Sequence, residues 1–243
     1  MSTFPVLYSY RRCPYAMRAR MAIVYAGLQV EQREIVFWDK PEQMLTASPK
    51  GTVPVLVLSN GSVIDESRDI MQWALSQASN QAWLFDNNSD YLQQINQWID
   101  QCDNDFKVHL DHYKYADRHP EFSQQTYRQR GCEFLSLLEQ QLSVNAENFA
   151  LESYALIENQ LSMADIALFP FVRQFAHVDK GWFQKAEYPF LQKWLEQNIE
   201  SNWFKAVMKN RPVWQPEHQS LWVDEPELTT KDTFRQKAQG KST

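Results

Sequence analysis

YSYRRCPYAMRARMAIVYAG, residues 8–27, carries the end of an apolar strand, a cysteine, a proline and then a helical pattern. The strand is FPVLYSY, residues 4–10. Pro14 suits the first position of a helix and Gly27 the residue just past its end. Between them Met17, Met21, Val24 and Leu28 recur at helical spacing. Cys13 therefore stands at a helix N-terminus, facing unpaired backbone N–H groups. The positive end of the helix dipole adds to this, and in good geometry favours a negative group by up to ~2 kcal/mol. Thiolate is favoured over thiol, and Arg11, Arg12 and Arg18 push the same way. The motif CPYA has the shape of a redox C-x-x-C with Ala16 in place of the second cysteine. A dithiol resolves a mixed disulfide internally, whereas a single thiolate needs an external thiol.

Working outward, residues 1–78 read as a short mixed domain. VEQREIVFW (30–38) alternates like a strand, and VPVLVL (53–58) and SVID (62–65) flank the turn SNG. ESRDIMQWAL (66–75) closes the half as a helix, giving the order βαβ, α, ββα. The polar segment SQASNQAWLFDNNS contains the linker, 79–88. Residues 89–243 then read as an all-helical domain. Tyr91, Ile95, Trp98, Cys102 and Phe106 form one stripe, and Tyr127, Phe134, Leu138 and Leu142 another. In NQLSMADIALFPFV, Ser162 caps a helix, Asp165 completes a capping box and Leu161 staples against Ile166. Pro170 is expected to kink that helix or tighten its packing. YPFLQKWLEQN and SNWFKAVM supply two more helices. The tail from Arg211, with Pro212, Pro216, Pro226, Trp214 and Trp222, is expected to be extended, held by its aromatics, and frayed from about Thr230.

Composition bounds the function. At 243 residues and 44% hydrophobic content a core needs no disulfides or metal. Cys13, Cys102 and Cys132 are too few and too scattered for a disulfide framework and suit a reducing compartment. A net charge of −6 argues against a partner gripped through nucleic-acid phosphates. MSTFPVLYSY has no basic segment followed by an apolar one, and no run approaches the roughly 18 apolar residues of a membrane span. These features predict a cytoplasmic protein.

In order and spacing, CPYA (13–16), DKPE (39–42), GTVPVL (51–56), DES (65–67) and LSMAD (161–165) resemble the cytosolic glutathione transferases of cysteine type, closest to the omega class. The resemblance covers nearly the whole chain. It implies a thioredoxin-like domain followed by an all-helical one, glutathione as cosubstrate, no metal and a homodimer. By resemblance Cys13 is the nucleophile. The same resemblance implies that Pro54 is cis and presents the backbone of Val53, whose N–H and C=O pair with the cysteinyl part of glutathione like an added strand. Glu66 and Ser67 open a helix and suit the zwitterionic γ-glutamyl end, and Lys40 meets the glycyl carboxylate. Tyr8 and Ser9 end the first strand, where other classes place an activating hydroxyl, but Cys13 is the stronger candidate.

The expected activity is glutathione-dependent thiol transfer or reduction, on mixed disulfides, dehydroascorbate-type substrates or small hydrophobic glutathione conjugates. Two alternatives remain: a conjugating transferase, and a non-catalytic binding or regulatory protein on the same fold, as in the stringent starvation protein. His109 and His112, three apart in HLDH, have no third metal ligand nearby in sequence. Phe106, Tyr113 and Tyr115 are candidates either for the second-substrate pocket or for packing.

Overall fold

The computed structural model describes residues 3–149 and 153–225. The described residues form two compact units, one within Met1–Ala74 and Asn202–Thr243 and one within Leu75–Ser201.

The first unit is built on a four-stranded sheet in the order β2-β1-β3-β4. β1 (Val6–Ser9) pairs in parallel with β2 (Glu31–Glu34), Val6 opposite Glu31 and Ser9 opposite Glu34. On its other side β1 runs antiparallel to β3 (Val55–Val57), which pairs antiparallel with β4 (Val63–Ile64). The parallel pair needs a crossover, supplied by α1 (Pro14–Tyr25). Pro14 occupies its first turn. At its end Gly27, at φ +67°, lets Gly27 N–H reach Val24 O and Leu28 N–H reach Ile23 O, the double closure that a left-handed residue permits. α2 (Glu42–Ala47) seats Met44 in a cluster with Val6, Tyr8, Ile35, Val53 and Val55, against which Cys13 also packs. α3 (Ser67–Ser76) follows the sheet. Thioredoxin-like topology is what the sequence predicts, and it is what the strands form.

One division differs from expectation. The described part of the tail, 202–225, belongs with this first unit and not with the helical domain. α10 (Asn202–Val207) packs on α1. Beyond it the chain runs along the open edge of β2. Trp214 N–H donates to Glu34 O at 2.8 Å, Gln32 N–H to Leu221 O at 2.7 Å, and Val223 N–H to Val30 O at 3.0 Å. An unpaired strand edge offers a row of donors and acceptors, and here the tail satisfies them. Its aromatics anchor it as expected. Trp222 meets Phe4 edge-on at 5.0 Å, and the Arg33 guanidinium lies 4.4 Å from the Trp214 ring and 5.5 Å from that of Tyr8. The expected fraying from Thr230, and Pro226, lie outside the described residues.

The second unit is helical, with α4 (Ser89–Gln101), α5 (Lys107–Lys114), α6 (Gln124–Asn148), α7 (Met163–Ala176), α8 (Lys180–Lys185) and α9 (Pro189–Glu200). The linker is anchored, since Trp83 and Leu84 are buried and Trp83 O accepts from Met163 N–H at 2.8 Å. Asn88 caps α4 through Asp90 and Tyr91 N–H. A widened π-type turn, Cys102–Phe106, joins α4 to α5. The buried line there is Ile95, Ile99, Cys102, Phe106 and Leu110; Tyr91 and Trp98, expected on the stripe, are half-buried. The α6 stripe is buried as read. α7 starts on the expected capping box and runs through Pro170. Asp165, fully buried, accepts from Ser162 N–H and Oγ at 2.8 Å, Leu156 N–H at 3.0 Å and Trp194 Nε1 at 2.8 Å. Burial, the largest influence, leaves its carboxyl above the usual range despite these donors.

Candidate functional site

Cys13 is the N-cap residue of α1, with extended backbone (φ −74°, ψ 121°). Its own N–H is spent on Tyr10 O at 3.0 Å, and its carbonyl accepts from Met17 N–H at 2.9 Å. The half-buried thiol donates to Val53 O at 3.7 Å. The Val53–Pro54 bond is cis, and both residues are buried. Cys13, Val53 and Pro54 thus meet at one point, the start of α1 against the entry to β3.

Glu66 and Ser67 do open α3, Glu66 O accepting from Ile70 N–H at 3.0 Å. Ser67 is buried and its Oγ accepts from Arg18 Nε at 3.0 Å, leaving the hydroxyl proton to donate elsewhere. The Glu66 carboxylate is already paired. Lys50 Nζ reaches it at 2.5 Å and also donates to Asp65 O at 2.8 Å. Two-thirds of the Glu66 side chain remains exposed (68%), so open acceptor sites are left for an ammonium. Asp65 is fixed from the other side by Ser48 Oγ at 2.6 Å. Lys40 is half-buried along the loop before Val53, and a Cβ on Gly51 would lie 3.5 Å from its Nζ. Gly51 itself has φ +64°, so both backbone and space call for glycine there.

The hydroxyls weighed against Cys13 are engaged elsewhere. Ser9 is buried and its Oγ accepts from Arg20 Nη1 at 2.8 Å; Tyr8 is buried and its OH accepts from Arg33 Nη1 at 3.0 Å. Phe106 and Tyr113 are core residues, packed on Phe175 with centroids 5.5 and 4.8 Å away. Tyr115 is half-buried beneath Lys114 and Arg118. His112 stacks on His119 at 4.1 Å, and burial, then His119 and His109, push it below the usual histidine range. Among the described residues no three His, Cys, Asp or Glu side chains converge as a metal site would require.

Sequence reasoning missed Arg20, Glu34, Ser48 and Lys50, and it placed Arg18 beside Cys13 without its partner Ser67. The visible signal was the placement of two arginines five and seven residues after the cysteine. A helix-face argument reads these as solvent-exposed, yet both are buried.

The sequence model of the glutathione S-transferase N-terminal domain matches residues 7–82, and that of the C-terminal domain residues 124–197. The chain belongs to the glutathione S-transferase family. It is 26% identical over 198 residues to glutathione S-transferase U28 of Arabidopsis thaliana, covering 80% of this chain and 84% of that one. Over 61 residues it is 39% identical to mouse (Mus musculus) glutathione S-transferase omega-1, a quarter of each chain. Among solved structures, Ure2p in complex with glutathione superposes with a TM-score of 0.70 at 18% identity, over 84% of this chain and 99% of that one. Glutathione transferase Omega 3C of Trametes versicolor superposes at 0.68 and 18% identity, over 84% of each. These structural likenesses bear on the fold. Within the family frame no helix of the described residues is long and apolar enough to cross a membrane.

Proposed function

We propose that this glutathione S-transferase family member is a glutathione-dependent thiol transferase of omega-like cysteine type, with Cys13 as nucleophile. The observation that carries the reading is the position of the Cys13 thiol at the first turn of α1, 3.7 Å from the carbonyl of a cis-proline-linked valine. Glutathione lies with its cysteinyl backbone along Val53, its γ-glutamyl end at Glu66 and Ser67, and its glycyl carboxylate toward Lys40. In the first step the Cys13 thiolate attacks the glutathione sulfur of R–S–S–G. A Cys13–S–S–G bond forms, the R–S bond breaks, and RS⁻ leaves to take a proton from water. In the second, the thiolate of another glutathione attacks the enzyme-bound glutathione sulfur, releasing GSSG and restoring the Cys13 thiolate. The sum is RSSG + GSH → RSH + GSSG, with no electrons left over. Ala16 in place of a resolving cysteine makes the external thiol obligatory. The protein acts as a cytoplasmic homodimer in this reading.

The test is reduction of a glutathione mixed disulfide coupled to glutathione reductase, for wild type and Cys13→Ser. Turnover that disappears in the mutant is expected. Glutathione binding without turnover in the wild type overturns the reading in favour of conjugation or a binding role. The binding role is weighed because the solved neighbours include the nitrogen regulation fragment of the yeast prion protein Ure2p.

A further inference from the structure

On the helix that Cys13 caps lies a charged group that the thiol-transfer scheme does not use. Arg20 is on α1, two turns after Cys13, and is completely buried. Nη1 donates to Ser9 Oγ at the end of β1, and Nη2 to the carbonyl of Arg11, both at 2.8 Å. These two bonds hold both sides of the Ser9–Arg11 connection that delivers the chain to Cys13. The facing counter-charge is Glu34 at the end of β2, whose Oε2 is 3.9 Å from Nη1. Glu34 is committed elsewhere: it accepts from Arg11 N–H at 2.5 Å and from Gln32 Nε2 at 3.1 Å. The Arg20 Nε has no hydrogen-bond partner although it is buried. A guanidinium with an idle donor and one shared carboxylate is incompletely neutralised, and its field reaches the groups around it.

We propose that Arg20 is the positioning residue of this site: it pins the loop that presents Cys13 at the start of α1 and holds a fixed positive charge that favours the ionised form of the thiol. This deepens the proposed function and rests on the reading of Cys13 as the nucleophile. Arg20 bonds Ser9 of β1 and Arg11 of the connection and stands 3.9 Å from Glu34 of β2, and the charges of Cys13 and of Arg211 in the tail act on it through space. Burial lowers Arg20 most, to about 10; Glu34 and then Cys13 raise it, and Arg211 and Arg11 lower it. It stays protonated at neutral pH. Coupling between two titrating groups is mutual: a thiolate that stabilises the guanidinium is stabilised by it.

The experiment is the pH profile of Cys13 alkylation by iodoacetamide in the full chain without glutathione. It is read by mass spectrometry on the peptide carrying Cys13, so that Cys102 and Cys132 do not contribute. In Arg20→Gln the midpoint is expected to rise, and the rate below the wild-type midpoint to fall about tenfold, the low end of what a nearby opposite charge supplies. Arg20→Lys, which keeps the charge as an ammonium, brings the profile back toward wild type. Glu34→Gln shifts it the other way, because a negative charge is lost while Arg20 remains protonated. A merely structural pin would make both variants loosen the loop and move the midpoint in one direction. Shifts of the same sign, or an Arg20→Gln profile superimposable on wild type, overturn the proposal. Should Arg20→Gln not fold, Glu34→Gln decides alone, an unchanged or raised midpoint overturning it. Alkylation needs no glutathione, so a failed mixed-disulfide assay would remove the proposed function and leave this result readable.

Discussion

Gly131→Ala is the substitution whose outcome follows most directly from the packing of the helical unit. Gly131 is buried on α6, and a Cβ there would sit 2.4 Å from Phe175 Cε2 and 3.0 Å from its Cζ. Carbon atoms rest about 3.5–4.0 Å apart, so the overlap is on the order of 1 Å. The Phe175 ring has little room to retreat. Phe106, Tyr113 and Trp182 surround it at 5.5, 4.8 and 6.3 Å, and it is fully buried. Overpacking of a tight core costs roughly 1–3 kcal/mol, and this overlap belongs at the upper end. Against it stands the helix preference for Ala over Gly, about 1 kcal/mol. The expected net loss is about 2 kcal/mol by these two estimates. At roughly 2–4 °C per kcal/mol for a chain of this size, the melting temperature falls by about 4–8 °C. Thermal melts followed by circular dichroism, with urea titrations in parallel, measure it. Phe175→Leu in the same background makes room for the methyl, so the double mutant should be at least 1 kcal/mol more stable than additivity, above the roughly 0.5 kcal/mol scatter of independent sites. A Gly131→Ala protein as stable as wild type, or strict additivity, would refute the reasoning.

Asp165→Ala strands the Leu156 and Trp194 N–H groups and breaks the capping box of α7 by leaving Ser162 N–H without its acceptor, a loss of about 3–5 kcal/mol measurable by urea titration. An effect under about 1 kcal/mol would mean that those buried donors find other partners. Lys50→Met frees the Glu66 carboxylate and, on the proposed function, changes KM for glutathione at least twofold while kcat holds; a change confined to kcat contradicts the placement. Burial, the largest influence, raises the Glu34 carboxyl above its usual range despite Arg20 and its donors. The folded chain therefore keeps that proton after the unfolded chain has lost it, and Glu34's contribution to stability falls as pH rises from about 4.5 through the raised value. The stability of wild type relative to Glu34→Gln should fall over that window, and a relative stability that rises would reverse the assignment. Trp214→Ala removes the ring over Arg33, and faster hydrogen exchange at Gln32 N–H, which is bonded to Leu221, reports the loosened tail. Unchanged exchange would show that the ring does not anchor it.

Local signals were legible and distant ones were not. Pro14, Gly27 and Ser162 with Asp165 announce themselves because capping and turn chemistry act within a few residues, whereas the cis Val53–Pro54 bond is legible only through the family resemblance. The position of Cys13 at the start of α1 is legible from the same local chemistry. The burial of Arg18 and Arg20 is not legible because charged residues on a helix are ordinarily exposed; only their partners Ser67, Ser9 and the Arg11 carbonyl explain it, and no spacing rule names those partners. Ile99 displaced Trp98 from the buried line of α4 just before the helix widens at Cys102–Phe106. The tail was read as extended and aromatic-anchored, which is how its described part lies. That this part groups with the first unit is not legible for a simple reason: a strand edge does not encode in sequence which distant segment will cover it.

The same tail sets a timetable for synthesis. Gln32 waits for Leu221, and Glu31 for Ser220, across 189 residues. At about 5–20 residues per second, the β2 edge is made about 10–40 seconds before the segment that closes it. The whole of Leu75–Ser201 is synthesised in that interval and can fold while the first unit is still incomplete. A nascent chain of this protein can thus complete its second unit before its first, with an open strand as the part most in need of shelter.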